Sequence, residues 1–161
     1  MNNNWLAEDF WQFSLRHYAK SEVKRLTLHL QNEYSMNVNL LLICAYLDTH
    51  NRQVSSSQFV ELSEFIAPSV AQVETIRRLR IDAKTNKPNT YAKLLEQELE
   101  AEKQQQTLII SFCNQHNLDA KRKSNFYHYL DSLESLDTAD LKCIVEQLAA
   151  TISSNQTNLE I

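Results

Sequence analysis

The sequence predicts an all-α fold, a single compact bundle of about seven or eight helices with one apolar helix at its centre. Two observations carry that prediction. The 161 residues include no glycine and only two prolines, whereas hairpins and sheets depend on turn residues that tolerate positive φ, a place usually filled by glycine. Apolar residues also recur every three or four positions along most of the chain, the repeat that lines one face of a helix. A chain of this length buries enough surface to fold without a disulfide or metal staple.

The elements follow in order. From Leu6 to Tyr18, Trp11, Leu15 and Tyr18 fall at i, i+4 and i+7 while Phe10 and Phe13 widen the face, giving an aromatic first helix. Val23, Leu26, Leu30 and Tyr34 continue at helical spacing until Ser35, Met36 and Asn37 interrupt them. The run Val38 to Leu47 is apolar on nearly every side, so its helix belongs at the centre. It is far short of the ~20 residues that cross a membrane. Ser55 with Gln58 three residues on forms a capping box for a fourth helix bearing Phe59, Leu62 and Ile66, which Pro68 is expected to close.

Val70, Val73, Ile76 and Leu79 supply a fifth helix that fades through DAKTNKPNT, the clearest loop signal in the chain. Tyr91 to His116 reads as one helix of about 26 residues, ~39 Å long. Its middle, EQELEAEKQQQ, has only Leu99 and Ala101 as apolar residues and is expected to stand in solvent or bridge to something outside the bundle. Phe126, Leu130 and Leu133 mark a further helix, and Asp137 is the expected N-cap of a last one carrying Leu141, Ile144, Val145, Leu148 and Ile152. The chain thus divides into a helical core over 1–116, a C-terminal helical hairpin over 117–152 and a disordered tail over 153–161.

A net charge of −4 and a pI near 5.7 give no global attraction to nucleic acid or to anionic lipid. Cys44, Cys113 and Cys143 are odd in number, far apart and never in a C-x-x-C pair. They suggest neither a disulfide framework nor a zinc ribbon, and they fit a reducing, cytoplasmic location. The N-terminus lacks the basic start, long apolar run and small-residue cleavage site of a signal peptide.

No constellation for chemistry is complete. Cys44 sits among Leu41, Leu42 and Ile43, a setting that keeps a thiol protonated and inert. Asp48 and His50 close the same helix, where a histidine meets the negative pole of the dipole. Cys113 and His116 have ligand spacing but no further ligands nearby, and the chain contains no Glu-x-x-His, so no metal or cofactor is expected. Lys121 to Tyr129 mixes cations with aromatics, yet the core needs Phe126 and Leu130 and acidic residues follow directly, which argues against nucleic-acid binding.

The sharpest charge feature is IRRLRIDAK. Arg77, Arg80 and Lys84 recur at i, i+3 and i+7, with Arg78 to one side. Such a stripe suits a phosphate, a carboxylate or an acidic partner, and equally suits pairing with the glutamates of the following helix, among them Glu98 and Glu102. The leading functional expectation is therefore a non-enzymatic adaptor whose partner is another protein and which uses the Arg77 to Lys84 stripe, the polar stretch Glu96 to Gln106 with Glu98 and Glu102, or both. The alternative is a bundle that binds a small anionic or apolar ligand, with Arg77 and Arg80 fixing its charged end and first-helix aromatics lining the pocket. A cavity beside those arginines would favour the ligand, and a filled core with an exposed patch would favour the adaptor.

The segments FWQFSLRHY, LHLQ (Leu28 to Gln31), NVNLLL (Asn37 to Leu42), IRRLR and ELEAEKQQQ occur in an order and spacing that resemble the proteobacterial family called domain of unknown function 2390. The resemblance covers roughly Asp9 to Phe112 and aligns Arg77 and Arg80 with the family's paired arginines. Glu22, Thr27 and Tyr46 stand where the family pattern has glycine, cysteine and tryptophan. The resemblance implies a soluble helical protein and carries no activity with it.

Overall fold

The computed structural model describes residues 4–133 and 139–157. Among them are seven helices: α1 (Ala7–Tyr18), α2 (Ser21–Tyr34), α3 (Val38–Thr49), α4 (Ser56–Asn86), α5 (Pro88–Gln115), α6 (Asn125–Ser132) and α7 (Ala139–Thr157). Two two-residue strands, β1 (Arg52–Gln53) and β2 (Asp119–Ala120), pair antiparallel with Arg52 opposite Ala120. The fold is all-α, as composition and periodicity indicate.

The predicted central helix lies at the centre. Every residue of α3 from Asn39 to Leu47 is buried, and α1, α2, α5 and α6 pack around it. Asn37 caps it by accepting the Leu40 N–H at 2.9 Å, and Ser35 ends α2 in the left-handed region with φ 55°. The break seen at residues 35–37 is thus a C-cap followed directly by an N-cap.

The capping box at α4 is present in both directions: the Gln58 N–H donates to Ser55 Oγ, and Ser55 N–H donates to Gln58 Oε1. Pro68, however, does not close the helix. α4 runs through it for 31 residues, ~46 Å. Pro68 lies on the solvent face, where water can serve the carbonyl deprived of its N–H partner, while buried Ile66 and Ser69 pin the chain on either side. The loop expected in DAKTNKPNT also contracts to one joint, Lys87, because Pro88 occupies the first turn of α5, where a missing N–H costs nothing.

α4 and α5 therefore form one long antiparallel hairpin. Its seam alternates three- and four-residue steps through Phe59, Leu62, Ile66, Ser69, Val73, Ile76, Arg80 and Ala83 on α4, each buried or half-buried. On α5 the matching positions are Tyr91, Leu94, Glu98, Ala101, Gln105, Leu108 and Phe112. This is the spacing of a coiled-coil seam. The middle of α5 accordingly does not stand free in solvent: Glu98, Ala101, Gln105 and Gln106 are buried. Polar residues survive there because Glu98 and Gln105 pair with α4 across the seam and Gln106 pairs with Ser14 of α1 and Asn39 of α3.

Helix α1 buries a different face from the one its aromatic spacing suggests. Phe10, Phe13, Ser14 and His17 turn inward, while Leu15 is 44% exposed and Trp11 half-buried. Tyr46 gathers Phe10, Phe13, Trp5 and His50 around it in edge and tilted contacts. Below α3, the Asp48 carboxylate accepts from Ser124 Oγ at 2.6 Å, from Asn125 N–H at 2.9 Å and from Asn125 Nδ2 at 2.7 Å, latching α6 onto the α3 C-terminus. Helix α7 packs on α2 and α6 through Leu141, Val145, Leu148 and Ile152 and continues to Thr157. The proposed cap at Asp137 and residues 158–161 lie outside the described residues.

Candidate functional site

Four of the six predicted binding residues meet in one cluster. Arg77 Nε donates to Glu98 Oε1 at 3.4 Å and its Nη2 to Glu102 Oε1 at 3.2 Å. Arg80 holds Glu98 from the other side, through Nε to Oε2 and through Nη2 to Oε1 at 3.4 Å. The long hairpin makes this inevitable: Arg80 and Glu98 occupy facing seam positions, and Arg77 and Glu102 lie one step out on the same side. Arg78 is exposed on another face of α4, and Lys84, one turn beyond Arg80 on the same stripe, is exposed and pairs with neither glutamate.

Burial changes the acid–base character of the cluster. Hydrogen bonding to Glu98 holds the Arg80 guanidinium above its usual value. Loss of water raises the Glu102 carboxyl above the ordinary carboxylate range, and the neighbouring Glu98 charge adds to it, with Arg77 opposing. Tyr18 is likewise raised, by burial first and then by Glu102.

The cluster forms one wall of an open cleft of about 740 Å³. The facing wall is built by Trp11, Leu15 and Tyr18 of α1 with Lys24 and Leu28 of α2. Its deep end is a lattice of amides from the α3 N-terminus and α5. Asn37 and Asn39 each donate Nδ2 to Gln105 Oε1, at 3.1 and 3.0 Å, and Gln105 donates to Ser69 Oγ at 3.3 Å. Gln106 donates Nε2 to Ser14 Oγ at 2.9 Å and to Asn39 Oδ1 at 3.0 Å, and its own buried Oε1 has no partner among the described residues.

Sequence reasoning pointed to the arginines, the glutamates and the α1 aromatics but missed this lattice. Asn39 within an otherwise apolar run was the available signal; the glutamines blended into a polar stretch. The remaining candidates are structural. Cys44 and Cys113 are buried, which pushes the first thiol well up and the second to about 12. His116 stacks on Phe112 and binds its carbonyl through Nδ1 at 2.8 Å. Among the described residues no group of three or more His, Cys, Asp or Glu is arranged to hold a metal, and no helix is long and apolar enough to cross a membrane.

The family model described as "Protein of unknown function (DUF2390)" matches residues 9–109, well over half of the chain. The chain belongs to that family. The match spans α1 to most of α5 and takes in every residue lining the cleft, from Trp11 to Gln106. It stops short of α6 and α7. No curated protein and no solved structure matches the chain.

Proposed function

We propose that this DUF2390 protein is a non-enzymatic binding protein that takes a small ligand in the cleft between α1–α2 and the α4–α5 hairpin. The observation that carries this reading is the 740 Å³ cleft lying directly on the Arg77–Glu98–Arg80–Glu102 cluster. That volume falls within the range of ligand pockets, ~300–1,000 Å³. The lining mixes apolar and aromatic residues, among them Trp11, Leu15, Leu95 and Leu99, with at least as many polar and charged ones, several of them held in place by the cluster and the amide lattice.

The chain has two tryptophans, Trp5 and Trp11, and only Trp11 lines the cleft. A Trp5→Phe variant therefore reports on the cleft by fluorescence. Titration with the small-molecule fraction of an extract from cells that make the protein is expected to give a saturable change, lost in a Leu99→Glu variant. An unchanged signal, or one insensitive to Leu99→Glu, would contradict the reading.

A second reading, the adaptor, is favoured by a different face. Leu79 is 53% exposed beside exposed Arg78, and Lys84 further along α4 is exposed too, both cations without an ion pair among the described residues. An adaptor docking there would lose its partner on charge reversal at Arg78 and Lys84 and keep it with Leu99→Glu.

A further inference from the structure

The outer end of the α4–α5 hairpin is helical although its residues read as a loop. DAKTNKPNT, residues 82–90, carries the clearest turn signal in the sequence, yet α4 runs to Asn86 and α5 starts at Pro88. Threonine and asparagine are weak helix formers, and Lys87 gives α5 no side-chain cap. Tertiary packing must therefore hold these turns, and it is sparse. Between Ile81 and Gln97 only Ala83 is buried, with Tyr91 and Leu94 half-buried. Ile81 and Leu95 in this stretch are 58% and 47% exposed, and Leu79 and Leu99 at its edges are 53% and 51% exposed.

The contrast with the rest of the hairpin begins at one layer. Among the described residues, every hydrogen bond and ion pair from α5 to α1 or α3 is made by Glu102 or a later residue. No such bond ties the outer turns to the body of the fold. Arg80 and Glu98 pair across the hairpin at the inner boundary, and Arg80 also engages the Tyr91 side chain. Inward of that pair the seam buries Ile66, Ser69 and Val73 on α4 and Ala101, Gln105 and Ile109 on α5. Few buried apolar contacts and solvent-exposed backbone hydrogen bonds put a segment at the low end of the range of local opening energies. The helical pieces outside the pair, residues 81–86 and 88–97, are also shorter than the ~12–15 residues below which an isolated helix is marginal in water.

We propose that Ile81 to Gln97 is a separately unfolding arm, which loses its helical hydrogen bonds as one unit outward of the Arg80–Glu98 pair and forms the movable outer wall of the cleft. Ile81 and Leu95 line the cleft, so opening of the arm widens its mouth. A ligand that covers these two side chains favours the closed arm. The role in admitting ligand rests on the cleft being the ligand site, as proposed above; the opening itself does not.

Native-state hydrogen exchange of the full chain, followed by NMR, tests this. The hydrogen-bonded amides of residues 81–87 and 92–97 are expected to share one protection level, at least about a hundredfold below that of α3. Leu47 is fully buried in α3 and does not line the cleft. Leu47→Ala is expected to speed α3 exchange at least about thirtyfold and arm exchange less than about twofold, because the arm opens with α3 intact. If that variant does not fold, Ile43→Val gives the same contrast at about fivefold. Arm protection equal to that of α3, arm rates that rise in step with α3, or a smooth gradient of protection inward from Lys87 would each overturn the arm. The small-molecule fraction that changes Trp11 fluorescence in Trp5→Phe is expected to slow arm exchange at least about tenfold. A saturated Trp11 signal with unchanged arm rates would overturn the arm's role as a wall. Absence of any Trp11 signal would count against the ligand reading alone, and the ligand-free exchange still decides the arm.

Discussion

Glu98→Gln isolates the cluster that ties the long hairpin together. The side chain is 10% exposed and accepts from two arginines that are 25% and 21% exposed. Glutamine keeps the shape and removes the charge, leaving Arg77 with Glu102 alone and Arg80 without a carboxylate. Breaking a fully buried pair costs about 3–5 kcal/mol, and a hydrogen bond to a charged group contributes about 1.5–3 kcal/mol. Partial solvent access of the arginines places the loss near the lower figure of the first range, about 3 kcal/mol. With a urea m-value of about 2 kcal/mol/M for a domain of this size, the midpoint falls by about 1.5 M. Urea unfolding at neutral pH followed by far-UV circular dichroism measures this directly. Repeating the substitution in an Arg80→Met background should recover at least about 1 kcal/mol, since the partner that suffers is gone. A loss under about 0.5 kcal/mol, or equal losses in both backgrounds, would refute the claim that these charges pair across the seam.

Other expectations concern α4, α6 and the raised carboxyl. Pro68→Ala restores one helical hydrogen bond on an exposed face and should stabilise by about 1–3 kcal/mol; a thermal midpoint that fails to rise would mean α4 is shaped around the proline. Asp48→Ala removes three accepted hydrogen bonds and should cost about 2–3 kcal/mol, with hydrogen exchange accelerating first in α6; uniform acceleration along the chain would contradict its role as the α6 latch. Glu102, raised in the folded state, favours folding below the unfolded glutamate pKa, ~4.3, and that contribution is lost as pH rises through the folded value. Urea midpoints across pH 4–7 should therefore improve for Glu102→Gln relative to wild type as pH rises, and the opposite trend would show that the pairing with Arg77 outweighs burial.

Much of the fold was legible because burial writes itself into periodicity. Val38 to Leu47 is apolar on all sides and is buried on all sides, and Ser55 with Gln58 announces a helix start wherever it occurs. Pro68 and Pro88 misled for a physical reason: a proline disrupts a helix only when its lost hydrogen bond and ring clash outweigh packing, and both residues sit where they do not. In α1, Phe10, Trp11, Phe13 and Tyr18 encircle so much of the helix that spacing alone cannot choose the buried face. The strand pair β1–β2 spans two residues a side, too few to show a period.

The candidate site was half visible. Spacing along one helix identified Arg77 and Arg80, but their partners depend on the register of a hairpin whose turn turned out to be a single residue. The amide lattice was hidden because Asn and Gln that pair with one another in the interior look in sequence like Asn and Gln that face water. Their burial follows only from the way α3 inserts its N-terminus between α1 and α5.

Native mass spectrometry of the protein, purified gently from cells that make it, tests the central claim most directly when run beside the Leu99→Glu variant. A small mass retained on the wild-type chain and absent from the variant is the predicted result. A bare chain in both preparations, or an equal retained mass in both, would contradict a ligand site in the cleft.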